Sequence, residues 1–114
     1  MKWAVAILIL ISATSTADAQ GRHRCANDAI AKATPLLMLH YGFGPGEKAE
    51  NLSIENTVTV LPPIRALKGN GRLDVLEVRG HIYKGEYRMR FIYMQGGDSC
   101  ALMGQEILEN SNPY

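Results

Sequence analysis

Between Leu73 and Gln95 the chain alternates apolar and polar side chains with a period of two. Tyr87, Met89, Phe91 and Tyr93 fall on alternate positions with Arg88 and Arg90 between them, so an extended chain places the aromatics on one face and the guanidinium groups on the other. In the preceding run Leu76, Val78 and Ile82 share one phase and Leu73 and Val75 the opposite one. A single buried face cannot hold both sets without a register shift, which predicts a β-bulge near Val75 or Leu76. Lys84-Gly85 supplies the bend between the two runs, because glycine takes the positive φ that tight hairpins need.

The flanking segments extend this pattern. Leu52, Ile54, Val58 and Val60 alternate with Ser53, Glu55, Thr57 and Thr59, which predicts a half-buried strand over Leu52 to Leu61. Pro62-Pro63 removes two consecutive backbone donors, so that strand must end, bulge or run along a sheet edge there, with Ile64 to Leu67 as its resumption. Lys68-Gly69-Asn70-Gly71 and Gly96-Gly97-Asp98 read as turns, and Ser99 to Glu109 as a last strand. Asn110 to Tyr114 is polar and predicted to fray.

Upstream, Ala26, Ala29, Ile30, Ala33, Leu37 and Tyr41 recur at helical spacing, with Asp28 at the amino end and Gly42 as the stop. Pro35 interrupts this run and predicts one kinked helix, the alternative being a second short helix capped by Thr34. Gly42 to Asn51 is a glycine-rich loop without the lysine and Ser/Thr of a P-loop. Phe43 within it either packs on the core or faces a partner. The predicted architecture is α+β: one amino-terminal helix, kinked at Pro35, covering an antiparallel meander of about four strands.

The first nineteen residues stand apart from this domain. Lys2, the apolar run Trp3 to Ile11 and the small-x-small end Ala17-Asp18-Ala19 have the layout of a cleaved signal peptide, with processing before Gln20. The run is about half of what a membrane span needs. Residues 20–114 then form one small domain with a thin core, whose two cysteines, Cys25 and Cys100, lie near its ends. In an oxidising compartment the pair reads as one disulfide. Positive and negative side chains are nearly balanced and unclustered, which argues against nucleic acid or a polybasic membrane anchor as partner. The expected location is the periplasm or the exterior.

Little in the chain points to catalysis. His23, His40 and His81 lack the paired spacing of metal ligands, no serine occupies a G-x-S-x-G turn, and no cofactor is expected. Processing one residue late would expose Gly21-Arg22-His23 as an amino-terminal copper or nickel site. Glu77 and Glu86 read as carboxylates paired with Arg79, Arg88 or Arg90 on a sheet face rather than as an acid/base couple.

A surface remains. Arg79, Arg88 and Arg90 project among Tyr83, Ile92 and Met94, a mixture of Arg, Tyr and Met typical of binding surfaces, with Phe43 as a further candidate. A second copy of the chain is an alternative cover for Ile92 and Met94. The signal segment, Cys25 just before a helix, a strand ending in Val78-Arg79-Gly80 and Cys100 entering the last strand together resemble the layout of small disulfide-bonded periplasmic proteins of the colicin M immunity type. That resemblance spans most of the processed chain in architecture and cysteine placement. It implies a non-catalytic protein, an inhibitor or immunity factor, that binds another protein in the cell envelope. A small-ligand or metal carrier using the space between helix and sheet is the second expectation, and an envelope hydrolase the third.

Overall fold

The computed structural model describes Ala4, residues 22–44 and residues 46–110. The predicted signal segment, apart from Ala4, its predicted processing site and the tail beyond Asn110 lie outside them. One helix, α1 (Ala26–His40), precedes four strands, β1 (Leu52–Arg65), β2 (Arg72–Ile82), β3 (Gly85–Met94) and β4 (Leu102–Glu109). The strands pair antiparallel in chain order, β1-β2-β3-β4, so the fold is α+β with a simple meander. Among the described residues no helix is long and apolar enough to cross a membrane.

Helix α1 covers one face of the sheet, called the inner face here. Ala29, Ala33 and Leu37 are fully buried against Leu76, Val78, Ile82, Met89, Phe91 and Tyr93, none of which retains exposed surface. Three alanines on the buried stripe (Ala26, Ala29, Ala33) bring the helix close to the sheet, and the large aromatics of β3 fill the space beneath it. Gly80 belongs to the same contact, since a Cβ there would lie 3.1 Å from the Leu37 Cδ2 and 2.7 Å from the Met89 Cε.

Helix α1 runs unbroken through Pro35, so no second helix starts at Thr34. Pro35 and Ala31, the residue whose carbonyl loses its donor, are both exposed, and water can satisfy that carbonyl. At the other end Gly42 has φ +82°, its N–H donates to the Leu39 carbonyl and the Phe43 N–H donates to the Met38 carbonyl. This is a Schellman stop. It turns Phe43 onto the core.

The Cys25–Cys100 disulfide is present, with the two Cα atoms 5.6 Å apart, and it ties the start of α1 to the chain entering β4. Neighbouring polar contacts reinforce the junction. Arg24 donates to the carbonyls of Gly96 (2.9 Å), Ser99 (3.1 Å) and Met94 (3.3 Å), and the Tyr93 hydroxyl donates to Asp28 (2.7 Å).

Three local expectations need correction. The β2–β3 ladder runs without a shift from Leu73↔Met94 to Ile82↔Gly85, so there is no bulge at Val75 or Leu76. The two phases coexist because Val75 is buried on the outer face while Leu76 is buried on the inner one. Irregularities fall instead in β1, between Ile54 and Val58 and at Leu61 to Ile64, where Pro62-Pro63 sits on an edge strand as proline requires, and at Met103 in β4. Second, the hairpin bend is Tyr83-Lys84, and it is Tyr83 that takes positive φ (54°), not Gly85. Gly85 is small for a different reason: a Cβ there would lie 2.6 Å from Tyr87 and 2.8 Å from the Tyr41 hydroxyl. Third, the last strand begins at Leu102 rather than Ser99, and Asn110, expected to fray, donates its N–H to the Glu86 carbonyl at 2.7 Å.

Candidate interaction face

Antiparallel register sorts the side chains of the outer face into rows across the strands. Leu73 lies between Ile64 and Met94; next, Val75 lies between Leu61 and Ile92. A third row runs Thr59, Glu77, Arg90, Glu106, a fourth runs Arg79, Arg88, Leu108, and a fifth holds Ser53, His81 and Glu86. The face therefore changes from apolar at the Leu73 end to charged at the hairpin end. Among the described residues no secondary-structure element packs over it, since α1 occupies the other side.

Two open grooves lie at the apolar end. One, of about 630 Å³, is lined by Leu67, Leu73, Met94 and Met103 among others; the other, of about 500 Å³, is lined by Leu61, Pro62, Ile64, Val75 and Ile92 together with Arg90 and Glu106. Leu67 is fully exposed, and Met94 and Met103 are about half exposed. They are large apolar side chains left open to water at this end of the sheet.

Of the predicted surface residues, Arg79, Arg88, Arg90, Ile92 and Met94 do share this face. Their roles differ. Arg90 Nε donates to Glu77 at 3.0 Å and its Nη1 to Glu106 at 3.4 Å, and Glu77 is almost wholly buried, so Arg90 serves as the counter-ion of a buried carboxylate. Its guanidinium is held charged even more firmly than usual by the Glu77 hydrogen bond, which outweighs the opposing effect of burial. Arg79 reaches Glu86 at 3.9 Å. Arg88 is half buried, has no ion pair among the described residues, and its Nε is shut off from solvent without an acceptor. Glu77 and Glu86 stand opposite Arg90 and His81, not opposite each other, and Glu77, expected as a solvated cross-strand charge, is buried beneath its Arg90 partner because β3 and Arg90 cover it.

Tyr83 and Phe43 do not join them. Tyr83 leans from the bend toward Tyr41, with ring centroids 6.1 Å apart, in a cluster on the helix side that also includes His40 and Tyr87. The Tyr41 and Tyr87 hydroxyls are hydrogen bonded to each other. Burial first, and then that hydrogen bond, raise the Tyr87 pKa above the ordinary phenol range. Phe43 is part of the helix stop on the inner side. The sequence reading missed Leu61, Pro62, Ile64, Leu67, Leu73, Val75 and Met103. The opposite phase of Leu73 and Val75 was the available signal, since it marks a sheet with apolar residues on both faces.

His23 illustrates how polar groups on the helix side are consumed. Its Nδ1 accepts from the Cys25 N–H (3.0 Å), which fixes the other nitrogen as the donor to Asp74 (2.8 Å). Both ring nitrogens are thus engaged, and a metal at Nδ1 would have to break the bond to Cys25. Gln95 donates to the second Asp74 oxygen at 2.7 Å. Burial pushes the Asp74 pKa up, but the Gln95 and His23 hydrogen bonds outweigh it and hold the carboxyl below its ordinary value. No cluster of three metal-ligating side chains occurs among the described residues.

No family model matches the chain, and no curated protein or solved structure is significantly similar to it. The functional reading rests on the residues themselves.

Proposed function

We propose that this chain is an exported, non-catalytic protein-binding module, of an inhibitor or immunity type, that docks its partner on the outer face of the sheet. One observation carries the reading: two adjoining apolar rows, Ile64–Leu73–Met94 and Leu61–Val75–Ile92, lie on a sheet face that no described element covers. Such a face gains stabilisation when an apolar partner removes it from water. The leader-like first nineteen residues and the disulfide support export to an oxidising compartment. A carrier that holds its ligand between helix and sheet is less well supported, because Leu37, Met89, Phe91 and Tyr93 fill that space.

The test is capture from an envelope extract by the immobilised oxidised protein. Wild-type protein and Leu39→Glu, altered on the exposed side of α1, should retain the same partner, and Ile92→Glu should lose it. Equal retention by Ile92→Glu, or no partner for any of the three, would remove the outer face from the account.

A further inference from the structure

The charged end of the outer face specifies the chemistry of the partner. Arg79 and Arg88 stand directly opposite each other on β2 and β3. Like charges in that relation repel and destabilise a sheet. Arg90, two residues along β3, adds a third guanidinium on the same side, but its charge is committed to Glu77 and Glu106. Glu86 is committed to Arg79. On the remaining flank of Arg88 lies Leu108, which is apolar. Arg88 is thus the guanidinium on this face with no carboxylate among the described residues, and its Nε is withdrawn from water without an acceptor. A half-buried guanidinium that the described residues leave without a carboxylate gains from a negative group brought to it.

We propose that the partner places one carboxylate on the Arg79–Arg88 row and an aliphatic or aromatic side chain in the groove beside Val75 and Ile92. This rests on the outer face being the docking face. Guanidinium groups suit a carboxylate because the fork of N–H donors matches its two oxygens. The ligand is a single carboxylate flanked by apolar groups and not a polyanion, since Glu77 and Glu106 on one side and Glu86 on the other occupy the two adjoining rows and disfavour extended negative charge. Spacing follows from the strand. Arg88 and Ile92 are four residues apart on β3, about 13 Å at roughly 3.3 Å per residue, so an extended partner segment carries its acidic and apolar side chains about four residues apart.

A peptide-display library of random twelve-residue sequences, selected on the oxidised full chain, tests this without a known partner. Enriched sequences should pair Asp or Glu with an apolar residue at that spacing. Their affinity should fall at least tenfold in both Arg88→Gln and Ile92→Glu, and exchange of the peptide's acid for lysine should restore binding to Arg88→Glu. Arg88→Gln should melt no lower than wild type, because it removes a repulsion; a lower midpoint would make Arg88 a structural residue and overturn the proposal. Binders that need Ile92 but ignore Arg88 would overturn the acidic partner while leaving the docking face intact. Binders indifferent to both residues, or none at all, would overturn both. So would a homodimer that Ile92→Glu dissociates, which would assign the face to a second copy.

Discussion

Removing the disulfide is the perturbation whose size follows most directly from the fold. Cys25 and Cys100 are 75 residues apart in sequence, and the bond closes nearly the whole described domain into one loop. On the chain-entropy model a loop of that length denies the unfolded chain about 4.5 kcal/mol of conformational freedom at 25 °C. That is a large share of the roughly 5–15 kcal/mol available to a small domain, and should lower the melting midpoint by about 20 °C. The Arg24, His23 and Asp28 contacts at the same junction cannot compensate, because they exist only while the chain is folded. The assay is equilibrium urea unfolding followed by circular dichroism, comparing the oxidised wild type with Cys25→Ala/Cys100→Ala. Alanine suits the comparison because Cys25 is fully buried and a serine hydroxyl there would add its own cost. The double variant should lose about 4 kcal/mol and show a slightly larger m-value, since its unfolded state expands further. A loss under about 1 kcal/mol would refute the reasoning and show that the bond constrains little of the unfolded ensemble.

Further outcomes follow from individual contacts. Gly85→Ala should cost about 1–3 kcal/mol in the same assay, because the new methyl group meets the Tyr87 ring and the Tyr41 hydroxyl within 3 Å; a neutral result would mean that the aromatic cluster yields freely. Arg90→Ala should cost about 3 kcal/mol by stranding buried Glu77, and Arg90→Met/Glu77→Leu should recover most of that; equal stability of single and double variants would show that Glu77 finds water instead. Acid stability depends on Asp28 and Asp74. Burial opposes their ionisation, but the Lys32 and Tyr93 bonds to Asp28, and the Gln95 and His23 bonds to Asp74, prevail and lower both folded-state pKa values. Their contribution is therefore complete above the ordinary aspartate value near pH 4 and is lost as pH falls through the lower folded-state values. Urea midpoints measured from pH 7 to pH 2 should be flat and then fall below about pH 4, more shallowly in Asp28→Asn/Asp74→Asn; an undiminished acid slope in that variant would exclude these two groups.

The parts of the fold that could be read from the chain are those set by local periodicity. The aromatic alternation of β3, the helical spacing of Ala26 to Leu37 and the turn chemistry of Gly42 and Lys68 to Gly71 are dictated within a few residues, and two cysteines allow one pairing. What escaped depends on contacts distant in sequence. Both residues skipped between Ile54 and Val58 lie on β1, so the apolar alternation keeps its parity and hides the bulge. Glycine at position 85 answers to Tyr41, forty-four positions earlier, while the strained φ falls on Tyr83. Phe43 looked like a free aromatic until the helix stop turned it inward. On the outer face, the arginines were visible as alternation with the aromatics, but only the register showed that Arg90 is spoken for by two carboxylates and Arg88 by none among the described residues.

Site-specific photocrosslinking in the native envelope addresses the docking face most directly. A benzophenone side chain at position 92 should give one discrete protein adduct, and the same group at position 39, on the exposed side of α1, should give none. An adduct from position 39 alone, or no adduct from position 92, would contradict the assignment of the open sheet face as the surface through which this protein acts.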